Sequence, residues 1–326
     1  MRVIGLLPFL NLVYSIKTPK TAETSKYPWT PLDEYVWRED NTFSWSLVSD
    51  EIYSDPQGDG DVRFVVLNVT TQSWLTPETF TRDHDCHVWW HFVHLSIPLT
   101  WENSENNLLE DSAFVLIGSG NWEGGPQSPE SEQARYVRKL ALSTNSIGIS
   151  IRNVPYQRCT FSEDPQLRVR SEDEIIAWTW RKFIDNPELK DYPLRNPMTK
   201  SVVKVMDAVE EFVYHDYGRN LERFCVTGAS KRGWTSWTVA AVDYERVKCT
   251  MPMMMDTLNL VPTLHNHYRS LGNWTVQFLD YYELGILADI DTEAVQKLAG
   301  IIDGYTYRER YGDHFCGLDH NFKVLF

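Results

Sequence analysis

One stretch constrains this 326-residue chain more than any other: Phe224-Cys225-Val226-Thr227-Gly228-Ala229-Ser230-Lys231-Arg232-Gly233-Trp234. A short apolar run enters Gly-x-Ser-x-x-Gly and leaves into a helical pattern rich in Ala and Val. Small residues around Ser230 let the backbone turn sharply, which exposes a serine hydroxyl where a strand passes into a helix. At a helix N-terminus the unpaired amides and the dipole favour negative charge, so the amide of Lys231 is a candidate oxyanion donor. The spacing departs from the usual elbow, because Arg232 stands two residues after Ser230 and Gly233 comes one later. A plain N-cap serine after a turn is the competing reading.

Around this stretch, apolar runs alternate with helical patterns. Val62–Val69, Val88–Ile97, Ala113–Ile117, Ile147–Ile151, Arg223–Thr227 and Val247–Met255 read as strands. In the second of these, Val93, Leu95 and Ile97 alternate with His94 and Ser96, which predicts a sheet with one wet face. Ser171-Glu172-Asp173-Glu174 forms a capping box before a helix to about Ile184. Thr199 opens a second helix, Ser230–Val242 a third, and Thr292 starts a last one to Ile302. Strands that alternate with helices of this length predict an α/β fold with a mostly parallel sheet flanked by helices.

Ligands in such sheets bind at the carboxyl ends of the strands, so the residues after each strand are the candidates. Gly118-Ser119-Gly120-Asn121 follows an earlier strand, where the amides of Gly120 and Asn121 become further oxyanion donors. A phosphate-binding loop would need a Gly-Lys-Ser/Thr ending, which is missing here. Asp256, at the end of the strand Val247–Met255, is the candidate acid; the alternative is an Asp that caps the next turn. His265 and His267 lie in a polar stretch and read as solvated. His87 and His91 fall on one face of their strand and His94 on the other, so no shared metal site is expected. Asp313, His314, Asp319 and His320 invite a substitute dyad or a small metal site, but no strand fixes their position. No metal or other cofactor is expected. Met253-Met254-Met255 reads as sheet core, and Trp89, Trp90, Trp122 and Trp234 as pocket lining.

Composition excludes several function classes. Apolar residues make up 42% and aromatics 13% of the chain, with no recurring repeat, so disorder, collagen and coiled coil are ruled out. There are 31 Lys+Arg against 45 Asp+Glu, a net charge of -14, which repels nucleic acid and anionic membranes. The basic residues occur as scattered groups, Arg138–Lys139, Arg168–Arg170 and Lys231–Arg232, the pattern of a solvated surface. Met1-Arg2 followed by an apolar stretch to Ser15 reads as a secretory signal, too short to span a bilayer. The sequons at Asn68 and Asn273 are compatible with export and glycosylation. Of the five cysteines, Cys86 and Cys159 are the expected bridge, whereas Cys225 and Cys249 read as buried, inert thiols.

The chain resembles the PhoPQ-activated pathogenicity-related proteins. The matching stretches are Thr30–Val36, Val88–His91, Glu172–Ala177, Pro197–Lys200, Gly228–Trp234, Asp256–Asn259 and Tyr305–Arg310. The resemblance runs from about Thr30 to Tyr311 and implies an exported α/β-hydrolase-like protein whose serine falls on Ser230. The expected layout is a signal at 1–15, a surface lead-in at 16–60, the hydrolase-like domain at 61–311 and an unmatched tail at 312–326. Chain order in this fold is serine, acid, histidine, and the resemblance implies that the family's own acid and histidine lie beyond the last matched stretch. The chain is therefore expected to lack its last strands and the catalytic histidine, as a truncated product would. Two functions follow as expectations. One is ester or peptide hydrolysis through Ser230, on a substrate the sequence does not name. The other is a secreted, non-catalytic regulator that meets a cell-surface partner, since the family includes a repressor of proliferation.

Overall fold

The structure is a computed structural model that describes residues 20–101, 109–255 and 257–311. The expectations for 1–15, Asp256, Asp313, His314, Asp319 and His320 lie outside the described residues. Seven strands form one sheet: β1 (Ser44–Ser54), β2 (Asp61–Ser73), β3 (Val88–Pro98), β4 (Ser112–Ile117), β5 (Ile147–Ile151), β6 (Arg223–Ala229) and β7 (Val247–Met253). Their order is β1-β2-β3-β5-β4-β6-β7. β1, β2, β3 and β5 pair antiparallel in succession, whereas β5, β4, β6 and β7 pair parallel. Thus β2, β4, β5, β6 and β7 run one way and β1 and β3 the other, a mostly parallel sheet.

The helices are α1 (Pro31–Trp37), α2 (Glu132–Thr144), α3 (Glu172–Asp185), α4 (Arg195–Tyr217), α5 (Lys231–Val242), α6 (Leu260–Leu271), α7 (Leu279–Glu283) and α8 (Glu293–Ile302). They cover both faces. Val65, Leu67 and Val69 of β2 join the main core with α1, α4 and α5, whereas Phe64 and Val66 point the other way onto Ala134 of α2. β5 is buried at every position, as a strand covered on both faces must be.

Several expectations change. The second half of β3 has no wet face: His94 and Ser96 are buried, because α2 packs over them and His94 stacks on Phe64 at 5.8 Å. α2 itself was not expected, since its inner face carries only Ala134, Val137, Arg138 and Ala141, too little apolar surface to stand out. The second helix begins at Arg195 rather than Thr199, with buried Pro197 and Met198 in its first turn. The lead-in does more than lie on the surface. Leu32, Tyr35 and Val36 of α1 enter the core, and β1 adds an exposed edge strand to the sheet.

Charged pairs are also less solvated than their sequence pattern predicts. Arg138 is buried against Asp55 at 2.6 Å and Arg170 against Asp164 at 2.7 Å. The Met253–Met255 run is not core: Met254 is 87% exposed and its neighbours are half-buried, because β7 is the last strand among the described residues. Cys86 and Cys159 are joined, as expected, with Cα atoms 5.5 Å apart. Cys225 and Cys249 are joined too, which corrects the reading of inert thiols. They face each other across the β6–β7 register with Cα atoms 4.3 Å apart. No helix among the described residues is long and apolar enough to cross a membrane.

Candidate active site

Ser230 sits between β6 and α5 with φ 55° and ψ -123°, outside the regions that L-residues favour. Such a backbone costs about 1–3 kcal/mol and persists only where its surroundings hold it. Here the Ser230 amide donates to the Met253 carbonyl at 2.9 Å, and the Ser230 carbonyl accepts from the Trp234 amide at 3.0 Å. The side chain is exposed. The displaced glycine of the motif has a steric reason: a Cβ on Gly233 would stand 2.8 Å from the Met253 carbonyl oxygen and 2.9 Å from that of Gly228. The helix therefore approaches two strand ends at the position after Arg232, and Gly233 is the residue that permits it.

The Lys231 amide opens α5, where a helix leaves its first amides without intrahelical acceptors. Lys231 and Arg232, read as surface charges, are instead 12% and 11% exposed and tied down. The Lys231 ammonium lies 2.9 Å from Glu172 and 2.8 Å from Asp173, and Arg232 lies 2.5 Å from Glu172. Burial alone would push the Glu172 carboxyl up, but Arg232 and Lys231 outweigh it and hold it below the usual carboxylate range. Beneath them Arg195 is fully buried, donates to the Lys231 carbonyl at 2.5 Å and to Thr235 at 2.9 Å, and lies over the Trp234 ring. Burial lowers its pKa to about 10.

The glycine loop leaves β4 beside this elbow, since Ile117 pairs with Gly228. Gly120 has φ +139°, which a side chain rarely allows. Gln157 joins the two parts: its amide donates to the Gly120 carbonyl at 2.6 Å and to Glu172 at 2.8 Å, and accepts from the Glu172 amide at 2.8 Å. Asn121 turns its side chain inward, accepting from the Gly124 amide at 3.2 Å. Glu172, Asp173, Gln157 and Arg195 were not recognised as site residues. The run of three acids at Glu172–Glu174 was the available signal, because a capping box uses only one of them; Glu174 does reach back, accepting from the Ser171 amide at 3.0 Å.

Other expected residues fall elsewhere. Trp89 and Trp234 do not line a pocket; their indole N–H groups donate to the Cys86 and Ile302 carbonyls inside the core. Trp90 and Trp122 pack partly buried against that core. His91 is buried between the Arg152 carbonyl and the Ser201 hydroxyl at 2.9 and 3.1 Å, and His94 accepts from the Gln127 amide at 3.0 Å. His87 faces the Trp74 carbonyl at 3.1 Å. His265 and His267, read as solvated, lie half-buried on α6. His265 meets Asp291 at 2.7 Å, and His267 stacks on Trp274. Among the described residues no histidine hydrogen-bonds Ser230, and no group of three or more His, Cys, Asp or Glu side chains is arranged for a metal. Asn68 stands in the middle of β2 with its carbonyl oxygen buried, whereas Asn273 is exposed after α6.

The sequence model described as PhoPQ-activated pathogenicity-related protein matches residues 32–314. Autocrine proliferation repressor protein A of Dictyostelium discoideum is 32% identical over 282 residues, covering 86% of this chain and 52% of that protein. The chain thus spans about half the length of the curated relative it matches. Among solved structures, an acetyl xylan esterase from Paenibacillus sp. R4 aligns with a TM-score of 0.45 at 13% identity, over 87% of this chain and 73% of that one. Acetyl xylan esterase 1 from Thermoanaerobacterium sp. JW/SL YS485 aligns at 0.42 and 14%, over 88% and 73%. With the family match spanning most of its length and a relative above 30% identity, the chain belongs to the PhoPQ-activated pathogenicity-related proteins.

Proposed function

We propose that the chain carries the nucleophile half of a serine hydrolase acting on esters or peptides, with Ser230 as nucleophile. The observation that carries this reading is the backbone of Ser230, strained at φ 55° and ψ -123° and exposing its side chain at the start of α5. Strain of this kind at an exposed serine is retained where it aims a reactive group. In the reaction, Ser230 Oγ loses its proton to a base and attacks the substrate carbonyl carbon. The tetrahedral oxyanion takes the Lys231 amide and an amide of the Gly120–Asn121 loop. The leaving group departs with a proton, and water then releases the acyl group. Glu172, Gln157 and Arg195 are positioning residues that fix the two donor loops. Asp256 remains the proposed acid. The base is an imidazole outside the hydrogen bonds of the described residues.

A fluorophosphonate probe tests this on the full-length protein, which carries the base that activates the serine. Covalent labelling that maps to Ser230 and disappears in Ser230→Ala is expected; an unlabelled, folded wild type overturns it.

The second reading is a secreted regulator that binds without turnover, and its specific support is the 32% identity to a protein named as a proliferation repressor. A Ser230→Ala protein that keeps full effect on proliferating cells supports regulation by binding, and loss of the effect supports catalysis.

A further inference from the structure

Two of the stretches that carry the family resemblance, Thr30–Val36 and Pro197–Lys200, contribute Pro31, Glu34, Tyr35 and Lys200 to a cleft whose lining does not include Ser230. Its volume is about 880 Å³, and α1, the turn after it, the segment after β2, the α3–α4 connection and Lys200 of α4 line it. That is the size of a small-molecule site.

Lys200 is the unusual group there, with a side chain only 4% exposed. Its ammonium donates to the Arg38 carbonyl at 2.9 Å and stands 3.8 Å from Asp40. Asp40 is already occupied: one oxygen accepts from the amide and hydroxyl of Thr42, the other from those of Ser73. An ammonium has three N–H bonds, and among the described residues Lys200 makes one hydrogen bond, to Arg38, with the Tyr35 ring 5.6 Å away as its further neighbour. A second observation points the same way. Leu75, on the cleft wall, has φ 55°, a strained backbone for a leucine. Backbone strain held at a cleft wall beside a buried cation is the kind of feature that functional sites retain.

We propose that this cleft is a second ligand site in which Lys200 condenses reversibly with the carbonyl group of a small, uncharged aldehyde. The free amine attacks the carbonyl carbon and forms a C–N bond, and the carbonyl oxygen takes a proton to give a carbinolamine. The nitrogen then loses its remaining proton as water departs, leaving an imine; no oxidant or reductant enters. Burial supplies the free amine. It lowers the Lys200 pKa to about 8, with Lys204 and Arg38 adding to the effect and Asp40 and Asp191 opposing it. At pH 7.5 roughly a quarter of Lys200 is then neutral, against about a thousandth of an ordinary lysine. The rim disfavours an anionic ligand, because Glu34, Glu39, Glu188 and Asp191 outnumber Arg38 and Lys190.

The test uses glyceraldehyde with cyanoborohydride at pH 7.5 on the intact protein, followed by peptide mass mapping. Lys200 is expected to be labelled at least tenfold faster than the exposed Lys190 and Lys297. Labelling of Lys200 at or below their rate overturns the proposal. Lys200→Met should remove that one adduct; if this variant does not fold, the rates within the wild type still decide.

Discussion

At the scale of the residue, the backbone of Ser230 costs stability. Its φ of 55° suits glycine and strains any residue with a Cβ. Ser230→Gly should therefore raise stability by about 1 kcal/mol over Ser230→Ala, although both lose probe labelling; urea denaturation of the pair measures the difference. Gly233→Ala has the opposite sign. Its Cβ meets two carbonyl oxygens below 3 Å, so a loss of about 1–3 kcal/mol and weaker phosphonate labelling are expected. Glu172→Gln leaves Lys231 and Arg232 without their shared carboxylate and should cost about 1–2 kcal/mol, read as a lower urea midpoint at pH 7. Ser230 could be read from the chain because its turn residues adjoin it in sequence. Glu172 could not, since its partner Arg232 is 60 residues away and nothing local marks the pairing.

At the scale of the element, alternation proved a good guide to where strands run and a poor guide to which faces are wet. β3 alternates apolar with polar residues, yet His94 and Ser96 are buried because a weakly amphipathic helix, α2, covers them. The sequons divide in the same way. Asn68 is locked into β2 and Asn273 stands exposed after α6, so glycosidase treatment of protein expressed through a eukaryotic secretory pathway should shift the mass of wild type and of Asn68→Gln, but not of Asn273→Gln. The disulfides likewise depend on strand pairing, because Cys225 and Cys249 meet only when β6 and β7 lie side by side. Iodoacetamide on the denatured, non-reduced protein should spare Cys86, Cys159, Cys225 and Cys249 and modify all four after reduction. Removing the Cys86–Cys159 bridge, which closes 73 residues, should cost about 2–4 kcal/mol.

At the scale of the whole molecule, acid stability follows from what the sheet buries. Burial is the main cause that lowers the pKa of both His91 and His94 to about 4, with Arg152 adding to the effect at His94. The unfolded chain takes up these protons near pH 6.5 and the folded chain does not. Stability is therefore complete above pH 6.5 and falls as pH drops from 6.5 towards 4. The loss is on the order of 3 kcal/mol for each ring at the low end. A urea midpoint that declines over this window, with a smaller decline in His94→Gln, is the expected result.

Sequence by itself determined the alternation of strands and helices, the elbow at Ser230, the glycine loop after β4, the Cys86–Cys159 bridge and the family. These are features whose residues are neighbours in the chain or carry their meaning in their type. Tertiary structure alone decided the rest: which charges are buried, which aromatics are core, that Cys225 reaches Cys249, and that Glu172 and Gln157 join the elbow to the glycine loop. The physical reason is distance along the chain. Burial and long-range ion pairing are properties of two or more elements brought together, and no single stretch of sequence holds them.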